Sequence, residues 1–162
     1  MANKVYGAIE TAKVFRDSGG DVTIALINLG FGAGRLSARV DRGAGSLPHL
    51  HDLRATNQWE TAPIVDETAD YFLFQSDGTD ADGAVGTADA VLTSAQKKNG
   101  IFIGSVKAQT TGTATDFTAS FRFMITTRYY SIGVWNSSAG DNLENTANAN
   151  HFSVTPIPPE IQ

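Results

Sequence analysis

Apolar and polar residues alternate with a period of two along much of this chain. Between residues 116 and 126 the apolar positions are Phe117, Ala119, Phe121, Phe123 and Ile125. Asp116, Thr118, Ser120, Arg122 and Thr126 fall between them, and Met124 is the exception. Successive side chains of a strand point to opposite faces, so the pattern predicts a strand with one dry and one wet face. Leu36, Ala38 and Val40 alternate with Arg35, Ser37, Arg39 and Asp41 in the same way. Residues 22–29, 71–75, 101–106 and 129–135 are apolar on both faces and rich in β-branched and aromatic side chains, which predicts central strands or strands with one face covered by a neighbouring chain. Phe152, Val154 and Pro156 mark a last strand. Pro156, Pro158 and Pro159, which have no N–H to donate, are expected to end its pairing.

Turn chemistry separates these runs. Asp17-Ser18-Gly19-Gly20-Asp21 predicts a hairpin between an early strand, residues 11–16, and the 22–29 strand. Gly43-Ala44-Gly45-Ser46 ends the strand carrying Val40, and the polar stretch 109–116 reads as a long hairpin tip. One helix is expected: Thr87 caps residues 88–98, with Asp89 in the first turn, Lys97 and Lys98 in the last, and Asn99-Gly100 just beyond. Ala88, Val91, Leu92 and Ala95 would then form its apolar stripe. Many short strands and one short helix define a mainly β chain. The expected fold is an antiparallel β-sandwich, of which the jelly roll is one form.

Composition narrows the classes of function. The 162 residues correspond to one domain at roughly 150 residues per domain, so 1–162 reads as a single sandwich. Residues 1–10 and 155–162 are expected to be arms. The absence of cysteine excludes disulfides, thiolate zinc sites and a cysteine nucleophile. A formal net charge of -5 argues against a free-standing nucleic-acid binder, which carries a basic patch. The first ten residues have no apolar core of a secretory signal. The most apolar run, 22–34, is too short to cross a bilayer, so a soluble protein is expected. Asn136-Ser137-Ser138 fits a glycosylation sequon but reads as a turn.

Candidate chemistry is sparse. His49 and His51 share one side of an extended segment, and His151 would make a third zinc ligand. They follow Pro48 in an apparent loop, and surface histidines are the default. Asp77, Asp80, Asp82 and Gly83 resemble a calcium loop, but the twelfth position from Asp77 is Ala88 where an EF-hand needs Glu, so a solvated turn is expected. Gly30-Phe31-Gly32-Ala33-Gly34-Arg35 precedes a strand pattern, whereas a nucleotide loop opens a helix, so it reads as a glycine-rich corner. Glu60, Asp66 and Glu67 are close in sequence, but nothing assigns acid and base roles. Trp59 and Trp135 are candidate sugar-stacking platforms, with packing in a core or interface as the favoured reading. No catalytic, cofactor or metal residue is assigned.

The order of features resembles small structural proteins of tailed bacteriophage virions. An N-terminal turn, Asp17-Ser18-Gly19, is followed by Gly32-Ala33-Gly34-Arg35-Leu36-Ser37 running into Ala38-Arg39-Val40-Asp41. An aromatic strand then leads to Ser76-Asp77-Gly78, and the 101–106 strand follows. Val134-Trp135-Asn136-Ser137-Ser138-Ala139-Gly140 comes late, and the chain stops at Pro156-Ile157-Pro158-Pro159-Glu160-Ile161-Gln162. The resemblance implies a capsid decoration (cement) protein without an active site. Its partners would be the major capsid protein and copies of itself, as a dimer or trimer, on the virion surface. The alternatives are a minor tail or vertex protein and a carbohydrate-binding sandwich.

Overall fold

The computed structural model describes residues 10–44, 47–76 and 86–157. Two sheets face each other. The strands in chain order are β1 (Lys13–Arg16), β2 (Val22–Thr23), β3 (Gly34–Leu36), β4 (Val40–Asp41), β5 (Leu50–Asn57) and β6 (Thr68–Ser76). They continue with β7 (Ala90–Leu92), β8 (Ile101–Lys107), β9 (Phe117–Met124), β10 (Tyr129–Asn136) and β11 (His151–Pro156). One short helix, α1 (Ser94–Lys97), lies between β7 and β8. The five-stranded sheet runs β2-β1-β11-β5-β9. The other runs β7-β3-β10-β6-β8, with β4 also paired to β10. The expected antiparallel sandwich is therefore the fold, and among the described residues every strand pairing but β1–β2 is antiparallel.

The alternation read from the sequence fills the space between the sheets. Phe15, Leu53, Ala55, Phe117, Phe152 and Val154 come from one sheet, and Ala69, Tyr71, Leu73, Val106, Tyr130, Ile132 and Val134 from the other. Phe15 stacks on Phe152 at 4.5 Å between ring centroids, and Tyr71 meets Phe152 edge-on at 5.4 Å. Gly104 in β8 leaves room for the Phe121 ring from β9, which an added Cβ would overlap. Among the described residues, no helix is long and apolar enough to cross a membrane.

Several local expectations are corrected. The early hairpin is absent, because β1 and β2 run parallel, Phe15 opposite Val22. Asp21 turns the chain back onto β1: its N–H donates to Val14 O at 2.9 Å and its carboxylate accepts from Val14 N at 2.8 Å. Residues 24–29 are not strand. The Asp17 carboxylate takes the Leu26 and Ile27 N–H groups and Asp89 takes that of Ala25, in place of a neighbouring strand. Ile24 and Leu26 are nonetheless fully buried. The 35–41 pattern is split into β3 and β4 at Ser37, whose hydroxyl accepts from Ile132 N at 3.0 Å.

The helix over 88–98 is also not formed. Ala90–Leu92 is β7, paired to β3, and α1 begins only after Thr93. Thr93 accepts from Gln96 N while the Gln96 side chain accepts from Thr93 N, a capping box that sets the start. Leu92 is buried by pairing on the sheet edge, which outweighs a weak helical stripe. The polar stretch 109–116 is a crossover from β8 in one sheet to β9 in the other, not a hairpin tip.

Of the two expected arms, residues 1–9 and 158–162 lie outside the described residues, and the described parts are not arms. Glu10 is docked into the domain (below), and residues 155–157 stay on the sheet. Pro156 pairs with His51, and Ile157 N still donates to Leu50 O at 2.8 Å. Since Ile157 donates toward β5, Pro156 faces the other way, where β1 reaches only to Lys13 opposite Val154. A missing N–H is tolerated at such an open position.

Candidate functional site

The most concentrated polar chemistry is a buried ion cluster at the end where β5 begins. Arg42, Glu10 and His51 have side chains only 1%, 6% and 0% exposed. Arg42 Nε donates to Glu10 Oε1 and Oε2 at 3.1 and 3.2 Å, and a terminal nitrogen donates to Oε2 at 3.0 Å. Its other donors reach the carbonyls of Ile125 at 3.1 Å, Thr127 at 3.0 Å, and Pro48. His51 Nε2 lies 3.3 Å from Glu10 Oε2, and its Nδ1 lies 3.1 Å from His49 O. Burial alone would raise the Glu10 pKa, but the hydrogen bonds and charges of His51 and Arg42 outweigh it and hold the carboxyl below 4.5. Tyr130 nearby is pushed up, first by burial and then by the Glu10 charge. Every one of these groups is spent on another group of the chain, so the cluster locks residue 10 and the β4–β5 connection together. A hollow of about 220 Å³ beside it is lined by Arg42, His49, Thr127 and Arg128, among others. Sequence reading missed the cluster because Glu10 and Arg42 are 32 residues apart and share no motif.

The sequence candidates do not converge. His51 belongs to β5, not to a loop, and points into the core, whereas His49 is exposed with Nδ1 at 3.2 Å from Ile125 O. His151 begins β11 opposite Thr56, while His51 faces Pro156. Five residues of strand, about 17 Å, separate the two positions. Among the described residues no three His, Asp or Glu side chains could hold a metal ion. Asp77, Asp80, Asp82 and Gly83 lie outside the described residues. Glu67 is buried and accepts from Ile64 N at 3.0 Å and Ala139 N at 2.8 Å, while Asp66 pairs with Lys107 at 2.8 Å. These carboxylates brace loops and do not face each other as acid and base. The sequon asparagine is also structural: buried Asn136 donates to the carbonyls of Leu29 and Asp141 at 2.9 and 2.8 Å.

Neither tryptophan is an open platform. Trp59 is fully buried, with Phe117 edge-on at 5.5 Å. Trp135 stands on the outer face of the six-stranded sheet, in a second apolar cluster with Leu36, Phe72, Phe74 and Leu92. The segment 93–100 crosses this face from β7 to β8. Gly100 packs where a Cβ would come within 2.7 Å of Phe74, and Lys97 Nζ lies 4.6 Å from the Trp135 ring centroid. The Trp135 ring lies on Gly34, whose Cβ position is 2.5 Å from Trp135 Cε3. Of the glycines expected at this corner, Gly34 serves close packing, whereas Gly32 supplies a positive φ of 65° with open space around it. The outer face of the five-stranded sheet is polar, with Arg122 Nε donating to Asp52 Oδ1 at 3.0 Å across a shallow depression that also includes Arg54 and Thr155.

No family model and no curated protein matches this chain. Among solved structures, the chain is similar to the Clostridium thermocellum N-terminal endo-1,4-beta-D-xylanase 10B, CBM22-1 and GH10 modules, complexed with xylohexaose. The TM-score is 0.38 and the identity 8%, over 97% of this chain and 30% of that one. The chain thus spans about a third of that structure's length, and a likeness of this degree carries neither ligand nor reaction across.

Proposed function

We propose that this chain is a structural protein of a tailed bacteriophage virion: a capsid decoration protein that binds the assembled shell and stabilises it through subunit contacts. The observation that carries the reading is the division of labour among side chains. The buried Glu10, Arg42, His51, Glu67 and Asn136 side chains are consumed in bonds within the fold, whereas large apolar side chains such as Phe31, Ile64, Val91, Ile101 and Phe102 stand in solvent. Groups of exposed apolar residues mark surfaces that a partner covers. The order of sequence motifs, from Asp17-Ser18-Gly19 to the proline-rich end, supplies the virion context.

Quantitative mass spectrometry of purified source particles tests the reading. A copy number equal to that of the major shell protein, or a fixed fraction of it, is expected. A few copies per particle would make the chain a tail or vertex component, and its absence from particles would overturn the virion reading.

A further inference from the structure

We infer that the end of the sandwich where β6 starts and β10 finishes is the docking surface of this domain, and that it takes a protein surface that is basic around an apolar centre. The inference rests on the shell-binding reading above and names its surface and the chemistry of its partner.

The apolar part comes from loops. Ile27 (41% exposed), Phe31 (59%), Ile64 (64%) and Val65 (49%) all lie at this end. Hydrogen bonds join their loops into one rim. Asn28 N donates to Glu144 O at 3.4 Å, Asn142 Nδ2 to Asn28 Oδ1 at 3.0 Å, and Glu60 N to Asn142 O at 3.0 Å. Glu67, which holds Ile64 N, also holds Ala139 N. The residues are therefore fixed relative to one another, and burying them against a partner costs little further ordering.

The charges at this end select the partner. The loops 17–21, 26–33, 58–67, 108–116 and 137–150 contain Asp17, Asp21, Glu60, Asp66, Glu67, Asp116, Asp141 and Glu144, and no Lys, Arg or His. Arg16, Lys107 and His151 flank these loops at the strand ends, and Lys107 is paired to Asp66. The excess of acids over these cations repels nucleic-acid phosphates, anionic lipid and the same end of a second copy, and attracts a basic protein surface. Such complementarity steers association and weakens with salt.

The test is co-sedimentation of the purified chain with assembled source shells stripped of it. Phe31→Ser with Ile64→Ser is expected to weaken binding at least tenfold, and Glu60→Lys, which removes no packing, to weaken it several-fold. Met124→Ser, exposed at the opposite end of β9 from these loops, is expected to bind within twofold of the unaltered chain. Binding should fall as salt rises from about 50 to 300 mM, where screening shortens from over 10 Å to under 8 Å. If the unaltered chain does not sediment with shells, the shell reading falls and this assignment with it. If it sediments but the loop variants bind equally well, this assignment alone falls. Sedimentation of the chain without shells, abolished by the same variants, would make the partner a second copy and would equally overturn it.

Discussion

The hydroxyl of Tyr71 lies 2.8 Å from Oδ1 of Asn57, a single hydrogen bond spanning the interior from the six-stranded sheet to the five-stranded one. Asn57 Nδ2 in turn donates to Asn150 Oδ1 at 3.2 Å, and that oxygen also accepts from Gln58 N at 2.9 Å. Burial pushes the Tyr71 pKa up against the opposing effect of the Asn57 bond, so the phenol stays a neutral donor. Tyr71→Phe leaves the buried Asn57 oxygen without its donor and is expected to cost about 1–3 kcal/mol. Urea denaturation measures this, and an unchanged midpoint would show that the bond contributes nothing net.

The Glu10 anchor predicts the acid limb of stability. Its folded pKa lies below the ordinary 4.5, so its contribution is complete above that value and is lost as pH falls through the folded pKa. The exposed Asp41, held at about 2 by hydrogen bonds from Arg128 and Gly43, has the same sign over a lower range. Glu10→Gln removes one partner of a buried ion pair and is expected to cost about 3–5 kcal/mol at neutral pH. It should also flatten the loss of stability below pH 4.5. Parallel stability curves for the two proteins would remove this role for Glu10.

Trp135 is covered by Lys97, and Trp59 is inaccessible. Lys97→Ala is therefore expected to red-shift tryptophan emission and to increase quenching by acrylamide. The stability change should be small, about 0.5–1 kcal/mol, as for an exposed cation–π contact. Oligosaccharides added to the unaltered chain should leave the emission unchanged. A saturable response would favour the sugar-binding alternative over the virion reading.

Gly104 predicts a packing defect. A methyl group there would overlap the Phe121 ring, so Gly104→Ala must displace β9 or turn that ring out of the core. The expected cost is about 1–3 kcal/mol, as for other overpacked cores. Gly104→Ala with Phe121→Leu should recover part of it, and a thermal melt that shows no recovery would place the strain elsewhere.

The strands most legible in the sequence were those whose own side chains declare the pattern. β9 alternates as expected and β10 is a central strand, but β8, though formed over its apolar run, lies at the sheet edge with Ile101 and Phe102 exposed, because no strand pairs beyond it among the described residues. β5 was missed because its inward positions are His51, Leu53, Ala55 and Asn57. Two of the four are polar, and they are inside only because Glu10, Tyr71 and Asn150 meet them there. The loop surface at the acidic end was equally hidden, since its apolar residues come from separate loops that hydrogen bonds bring together.

By itself the sequence determined a mainly β domain without cysteine, with an acidic balance, and with most of its core strands. These follow from local rules, because a strand's burial is written in the alternation of its own residues. Only the tertiary structure decided the parallel return of β2, the strand and capped turn in place of the 88–98 helix, the Glu10–Arg42–His51 lock and the strap over Trp135. Each depends on a partner brought alongside by the fold, in most cases from far away in the chain. Periodicity records which face of a residue is covered, not what covers it.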